Sequence, residues 1–380
     1  MALYELALMG APSNEQVSEV AQCLSTAIEP FGLRLGAEVG WTIRPTEFNP
    51  SQKTAAAVAF FGEINVSEEG LSAVLRSDIP ILPVASAEGR FEMEIPAQLR
   101  ALNGLNYSTA GPLRISTALL ECVGLLPRQR RVFVSYRRGE ARGAALQLFD
   151  ALSSRLFDVF LDTHGVPPAE DFQTTLWHRL CDSDVLLMLD TPGYFESRWT
   201  SAEFGRALAK LISVLRVGWP NVNPSPRILL TKGQVDLSED EIEFDGGHLT
   251  ERALDRICLQ VEALRSESIA VRSVNLVSRL RLAVECIGGS VAGVGPHKGV
   301  YVKLPNDTNI VVYPTVGVPT SLTLHDAVEH APGRSVGIIY DHVGLSEKWL
   351  EHLAWLGTNI QIARWVKVSE AAWSFADWQE

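Results

Sequence analysis

Two adjacent arginines behind an apolar run, a serine just before them, and a glutamate four residues after a tryptophan are the side chains here best suited to handle an anionic ligand. They fall in three groups. Ser135, Tyr136, Arg137 and Arg138 follow VFV; Asp162 opens a Gly/Pro-rich loop that closes at Phe172; Asp190 to Glu203 forms the third group. Guanidinium groups at a strand end can grip a pyrophosphate bidentately, or one of them can simply pair with a surface acid. Trp199 either walls a pocket or packs as a buried indole. Thr200-Ser-Ala-Glu203 matches a capping box, in which Glu203 would reach back to the capping residue's amide, so a purely structural role for this carboxylate stands beside a chemical one. Ser135 lacks the G-x-S-x-G setting of a serine nucleophile and is expected to line the cleft instead. His164 and His178 match no ligand spacing, and no metal site is expected.

The elements that must hold these groups are legible in the same stretch. Short β-rich runs over 132–136, 158–162 and 184–190 alternate with helical patterns, as in βαβ units that build a parallel sheet. Ligands of such sheets bind at the carboxyl ends of the strands, which is where all three groups lie. Phe204, Leu208 and Leu211 mark the buried face of the helix after the third strand and leave Glu203 just off it, in the first turn.

Three motifs in this order, VFVSYRR, FLDTHGVPPAEDF and SRWTSAE, resemble a bacterial TIR (Toll/interleukin-1 receptor) domain over residues 130–220. The resemblance implies a flavodoxin-like parallel sheet and, in the enzymatic members, cleavage of NAD+ between nicotinamide and ribose by a glutamate that matches Glu203. It also implies a nucleotide cleft near Ser135, Tyr136, Arg137, Arg138, Asp162, Phe172, Asp190 and Trp199, and a loop over 162–172 that covers the site and takes part in TIR–TIR assembly. NAD+ would be the substrate and no further cofactor is implied. A role in bacterial antiviral defence or cell-death signalling goes with that activity. Many TIR domains only assemble with one another, so a non-enzymatic interaction module is the rival reading.

At 380 residues the chain exceeds the size at which one core keeps growing. Apolar residues make up 46% and charged residues 21%, an ordinary globular balance. The net charge of −12 opposes non-specific attraction to nucleic acid or anionic membrane. Five scattered cysteines form no CxxC pair, so a reducing cytoplasm fits best. The opening MALYELALMGAPS lacks the basic start of a signal peptide and reads as a first strand. No stretch has the apolar length of a transmembrane helix.

Residues 1–112 repeat an α/β succession, with strand candidates over 3–9, 33–43, 55–61 and 79–84. Third strands start about fifty residues after the first in both halves, and IPILPV in one answers ISVLRV in the other, which predicts two doubly wound domains of one type. The first lacks the SYRR run and any W-x-x-x-E, so it is expected to be TIR-like or Rossmann-like but non-catalytic. A linker helix is expected over 113–130, the TIR domain over 131–232, and an acidic loop with two connecting helices over 233–287. A C-terminal α/β domain follows over 288–380, starting with a hairpin in GVYVKLPNDTNIVVYP. GVGPHKG lacks the GK[ST] of a phosphate loop and reads as a turn. The flanking domains are expected to sense a ligand or protein that switches the TIR domain, itself active as a homo-oligomer.

Overall fold

The computed structural model describes residues 2–51, 54–62, 68–77, 79–161, 172–231, 233–243 and 247–378. The chain divides into two compact units, one of Met1–Arg128 with Gly295–Lys298, the other of Gln129–Val294 with Gly299–Glu380.

In the first unit five strands, β1 (Tyr4–Gly10), β2 (Val39–Ile43), β3 (Ala55–Phe61), β4 (Ile81–Ala85) and β5 (Leu105–Asn106), form one sheet in the order β2-β1-β3-β4-β5. Every pairing is parallel. Helices α1 (Asn14–Ile28), α2 (Glu68–Arg76), α3 (Phe91–Glu94) and α4 (Tyr107–Cys122) accompany it. Ser13 caps α1 in a reciprocal box with Gln16, which fixes where the first strand gives way to helix. The stretch expected to be a linker helix is most of α4, and it belongs to this unit: Ile115 and Leu119 are fully buried, and the Ser116 hydroxyl donates to the Val20 carbonyl at 3.2 Å. The GVGPHKG segment is a turn, with His297 and Lys298 both at positive φ.

The second unit opens with a sheet of β6 (Arg131–Ser135), β7 (Asp158–Leu161), β8 (Val185–Asp190), β9 (Ser213–Gly218) and β10 (Gly233–Asp236), again wholly parallel, in the order β10-β9-β8-β6-β7. Counted within each sheet, both follow the flavodoxin order 2-1-3-4-5, so the repeat read from strand spacing is a repeat of topology. Helices α5 (Arg138–Ser153), α6 (Phe172–Asp182) and α7 (Arg198–Ala209) connect its strands. Its two faces have separate cores. Val132, Val134 and Tyr136 point to one, with Leu148 and Val261; Phe133 points to the other, with Leu176, Tyr194 and Phe204. The acidic segment after β10 holds a small hairpin, β11 (Ile242–Glu243) with β12 (His248–Leu249).

A single helix, α8 (Glu251–Cys286), stands where the sequence predicts two. Between Leu264 and Val271 lie Arg265, Ser266, Glu267 and Ser268. Of these, Arg265 and Ser268 are buried and paired. Arg265 donates through Nε to Asp184 at 2.7 Å, and Ser268 donates to the Asp184 carbonyl while accepting the Ser213 N–H at 3.0 Å. Burial with satisfied partners keeps the helix intact where an apolar count fails. Ile257, Val261 and Leu264 pack on the second sheet, and Leu276, Leu280 and Val284 pack on a third.

The third sheet is mixed: β13 (Ser290–Val294), β14 (Val300–Lys303), β15 (Asn309–Thr315), β16 (Ser335–Tyr340) and β17 (Ala363–Lys367) in sequence order. β13, β14 and β15 pair antiparallel, as the expected hairpin requires, and β15, β16 and β17 run parallel through α9 (Ser321–Glu329) and α10 (Glu347–Asn359). A final helix, α11 (Ala371–Ala376), closes the core. Among the described residues no helix is long and apolar enough to cross a membrane.

Candidate active site

The carboxyl end of β6 and the start of α7 meet at a buried polar cluster. Side chains alternate across a strand, so Ser135 points to the same face as Phe133, toward α7. Its hydroxyl donates to Glu203 Oε2 at 2.5 Å. Tyr194, in the short turn Tyr194–Glu196 between β8 and α7, places its Oη 2.7 Å from the same hydroxyl. All three are buried, Tyr194 completely and Glu203 to 6% exposure.

Proton bookkeeping orders the cluster. A serine hydroxyl has one proton, and an ionised carboxylate only accepts, so Ser135 donates to Glu203 and must accept from Tyr194. Tyr194 can supply that bond at any ordinary pH. Burial, reinforced by the negative charge of Glu203, pushes its phenol well above the usual range.

The local fold explains how these groups arrive together. Ser197 caps α7, accepting the Thr200 N–H at 3.5 Å. Thr200 Oγ1 donates to the carbonyls of Tyr194 and Ser197, and Ser201 Oγ donates to the Phe195 carbonyl at 3.2 Å, so the first turn of the helix is stitched to the turn before it. Phe195 stands edge-on to Tyr194 and Phe204, with centroids 5.0 and 5.5 Å apart. The capping-box assignment of Thr200 is therefore replaced. The helix starts three residues earlier, Ser197 is the cap, and Glu203 lies in the second turn with its carboxylate on Ser135.

Other residues expected at the site have other surroundings. Tyr136 is buried in the core on the opposite face of the sheet. Asp190 is buried against Arg216, whose Nε donates to it at 2.6 Å; Arg216 is itself fully buried and also pairs with Asp236. Burial raises the Asp190 carboxyl, and the hydrogen bond and charge of Arg216 work against that rise. Arg137 bridges Glu140 at 2.7 Å and Glu196 at 2.9 Å. Glu140 also accepts the Gly193 N–H at 3.1 Å. Although burial opposes it, the surrounding donors and the Arg137 charge hold the Glu140 carboxyl below its usual range. The Arg137 guanidinium lies directly over Gly193, where a Cβ would displace it. Arg138 is exposed at the start of α5. Trp199 is 37% exposed, with the Arg198 guanidinium 4.6 Å from its ring. Asp162 and the loop over 162–171 lie outside the described residues, as does the side chain of Phe172, whose backbone opens α6.

Tyr194 and Glu140 were not singled out from the sequence. A tyrosine in a Gly-Tyr-Phe turn carries no spacing signal, and its role appears only when the turn folds back on β6. Three ligand-type side chains, His325, Asp326 and Glu329, lie together on α9.

Residues 132–250 match the family model for the TIR domain. No curated protein matches the chain. Among solved structures, a chain described as a two-component system response regulator/GGDEF domain protein is 11% identical over 68% of this chain and 98% of its own, with a TM-score of 0.28. Proximal thread matrix protein 1 from the mussel byssus is 11% identical over 70% and 96%, with a TM-score of 0.22. Likeness this slight carries no argument about either fold or function.

Proposed function

We propose that this chain, which carries a TIR domain over residues 132–250, is an NAD+ glycohydrolase in which Glu203 is the catalytic carboxylate. The observation that carries the reading is the buried Glu203 carboxylate held by Ser135 at the carboxyl end of the inner strand β6, where an α/β sheet of this order binds its ligands.

The chemistry suits a lone carboxylate. Nicotinamide is bound to ribose as a pyridinium, so heterolysis of the C1′–N bond sends the electron pair to the ring nitrogen and releases a neutral leaving group without a general acid. The positive charge appears on the ribose, and a fixed anion beside it stabilises that transition state more than the ground state. Water then adds to C1′, and the carboxylate takes the proton it loses, giving ADP-ribose, nicotinamide and H+. A hydrogen bond from Ser135 to one carboxylate oxygen fixes the group's orientation without neutralising it.

In this reading Arg137 acts at one remove, through Glu140 and Gly193, by holding the turn that presents Tyr194. Assembly of TIR domains through the 162–172 segment orders the site, with the flanking domains in control, in bacterial defence or signalling. The test is nicotinamide release from NAD+ by purified full-length protein, wild type against Glu203→Gln, over a concentration series with light scattering on the same samples. Release that depends on Glu203 and rises per molecule with assembly is expected. Equal release by both proteins would return the domain to the interaction-module reading.

A further inference from the structure

We propose that the second unit holds a binding site for a phosphate group, where α8 passes from the TIR sheet to the C-terminal sheet. A small cavity of about 40 Å³ lies there. Its floor is at the carboxyl ends of two adjacent parallel strands: Thr315 ends β15, and Asp341 directly follows β16. This is the edge at which parallel strands present ligands. The turn after β15 is fixed in place, since Asp182 accepts the Val318 N–H at 2.9 Å.

One stripe of α8 forms the wall, with Arg272, Asn275 and Arg279 at helical spacing, and Lys210 at the end of α7 completes it. The charges do not balance. Among the lining side chains three cations face one carboxylate, Asp341, which is already paired with Lys210 at 2.6 Å, while Asp182 and Asp184 just behind the lining are paired with Arg131 and Arg265. Arg272 is 8% exposed, and its hydrogen bonds go to the Ser183 and Cys181 carbonyls at 2.8 and 2.9 Å, which carry no net charge. Burial depresses its pKa against the opposing charges of Asp184, Asp182 and Asp341. Among the described residues Arg279 makes no hydrogen bond or ion pair, and it stands exposed at the mouth beside Asn275.

A phosphate monoester fits this arrangement in charge. Its charge near −2 at neutral pH matches the two positive charges in excess among the lining side chains, and its oxygens suit the fork of a guanidinium. The exposed Asn275 and Arg279 at the mouth would meet whatever the phosphate is attached to. Occupancy would brace Lys210, already paired with Asp341 and seven residues along the chain from Glu203, at the C-terminal sheet. Binding at the site does not depend on NAD+ cleavage.

The experiment is thermal unfolding and calorimetric titration of the full-length protein with inorganic phosphate, ribose 5-phosphate, ribose, and sodium chloride at matched ionic strength. A saturable rise in midpoint with either phosphate, absent with ribose and chloride, is the expected result. Stronger binding of ribose 5-phosphate identifies an organic phosphate as the natural ligand, and equal binding identifies free phosphate. Because Arg272→Ala can unfold the protein, the variants are Arg279→Glu and Asn275→Asp, both at exposed positions. Each should weaken phosphate binding about tenfold or more while keeping the ligand-free midpoint. A rise that follows ionic strength alike in chloride, or that survives both variants unchanged, overturns the site.

Discussion

The Ser135 hydroxyl and the Glu203 carboxylate, 68 residues apart in sequence, share a 2.5 Å hydrogen bond. Glu203→Gln keeps the shape and the bond to Ser135 but removes the negative charge. Turnover of NAD+ should fall by about 100- to 1,000-fold, the range for losing one preorganised electrostatic contact, with little change in melting temperature. Nicotinamide release beside a thermal melt checks both halves.

Tyr194→Phe deletes one hydroxyl from a fully buried ring. If the phenol orients Ser135, and Ser135 orients Glu203, kcat should drop roughly fivefold, equivalent to about 1 kcal/mol, with KM nearly unchanged. A variant that melts lower yet turns over normally would confine Tyr194 to packing.

Asp190 should behave as a structural residue. Asp190→Ala leaves the buried Arg216 guanidinium without its buried partner, a change that costs about 3–5 kcal/mol. Denaturant unfolding should show that loss, and the KM for NAD+ of the remaining folded protein should match wild type. A raised KM at unaltered stability would put Asp190 back in the nucleotide cleft.

His178 gives stability a pH dependence. Burial, with the nearby charges of Arg179 and Arg131, lowers its pKa, and its Nδ1 accepts the Ser346 N–H at 3.3 Å, which only an unprotonated nitrogen can do. The folded value lies below the unfolded one, so the contribution is intact above about pH 6.5 and is lost as the pH falls through the folded pKa. Melting temperature should decline on acidification below that point, and His178→Gln should flatten the decline. An identical slope in both proteins would assign the effect to other groups.

The strands and the α/β succession of both units were legible because they rest on local periodicity, whereas the flavodoxin-like sheet came from the resemblance carried by the three motifs and the strand order from the structure. Glu203 and Ser135 were both named from the sequence, but the hydrogen bond between them was not anticipated, and the tyrosine that completes the cluster comes from an irregular turn with no pattern of its own. The capping assignment failed by three residues because Ser197 and Thr200 are both competent caps, and the contacts of Thr200 with the Tyr194 turn decide between them. Asp190 looked like a ligand residue because it ends a strand. Arg216, one strand over and 26 residues on, claims it, and no spacing rule anticipates that pairing.

The uninterrupted α8 acts as a shared spindle. Its 36 residues span about 54 Å, and its two halves supply side chains to two different hydrophobic cores. Cutting the chain after residue 232 would strip Ile257, Val261 and Leu264 from the TIR core, and starting it at 288 would strip Leu276, Leu280 and Val284 from the other. Fragments trimmed to either sheet alone should therefore aggregate, and the two sheets should melt in a single transition. A torque on one end of such a rod is felt at the other, so the C-terminal sheet and the TIR sheet share one mechanical axis.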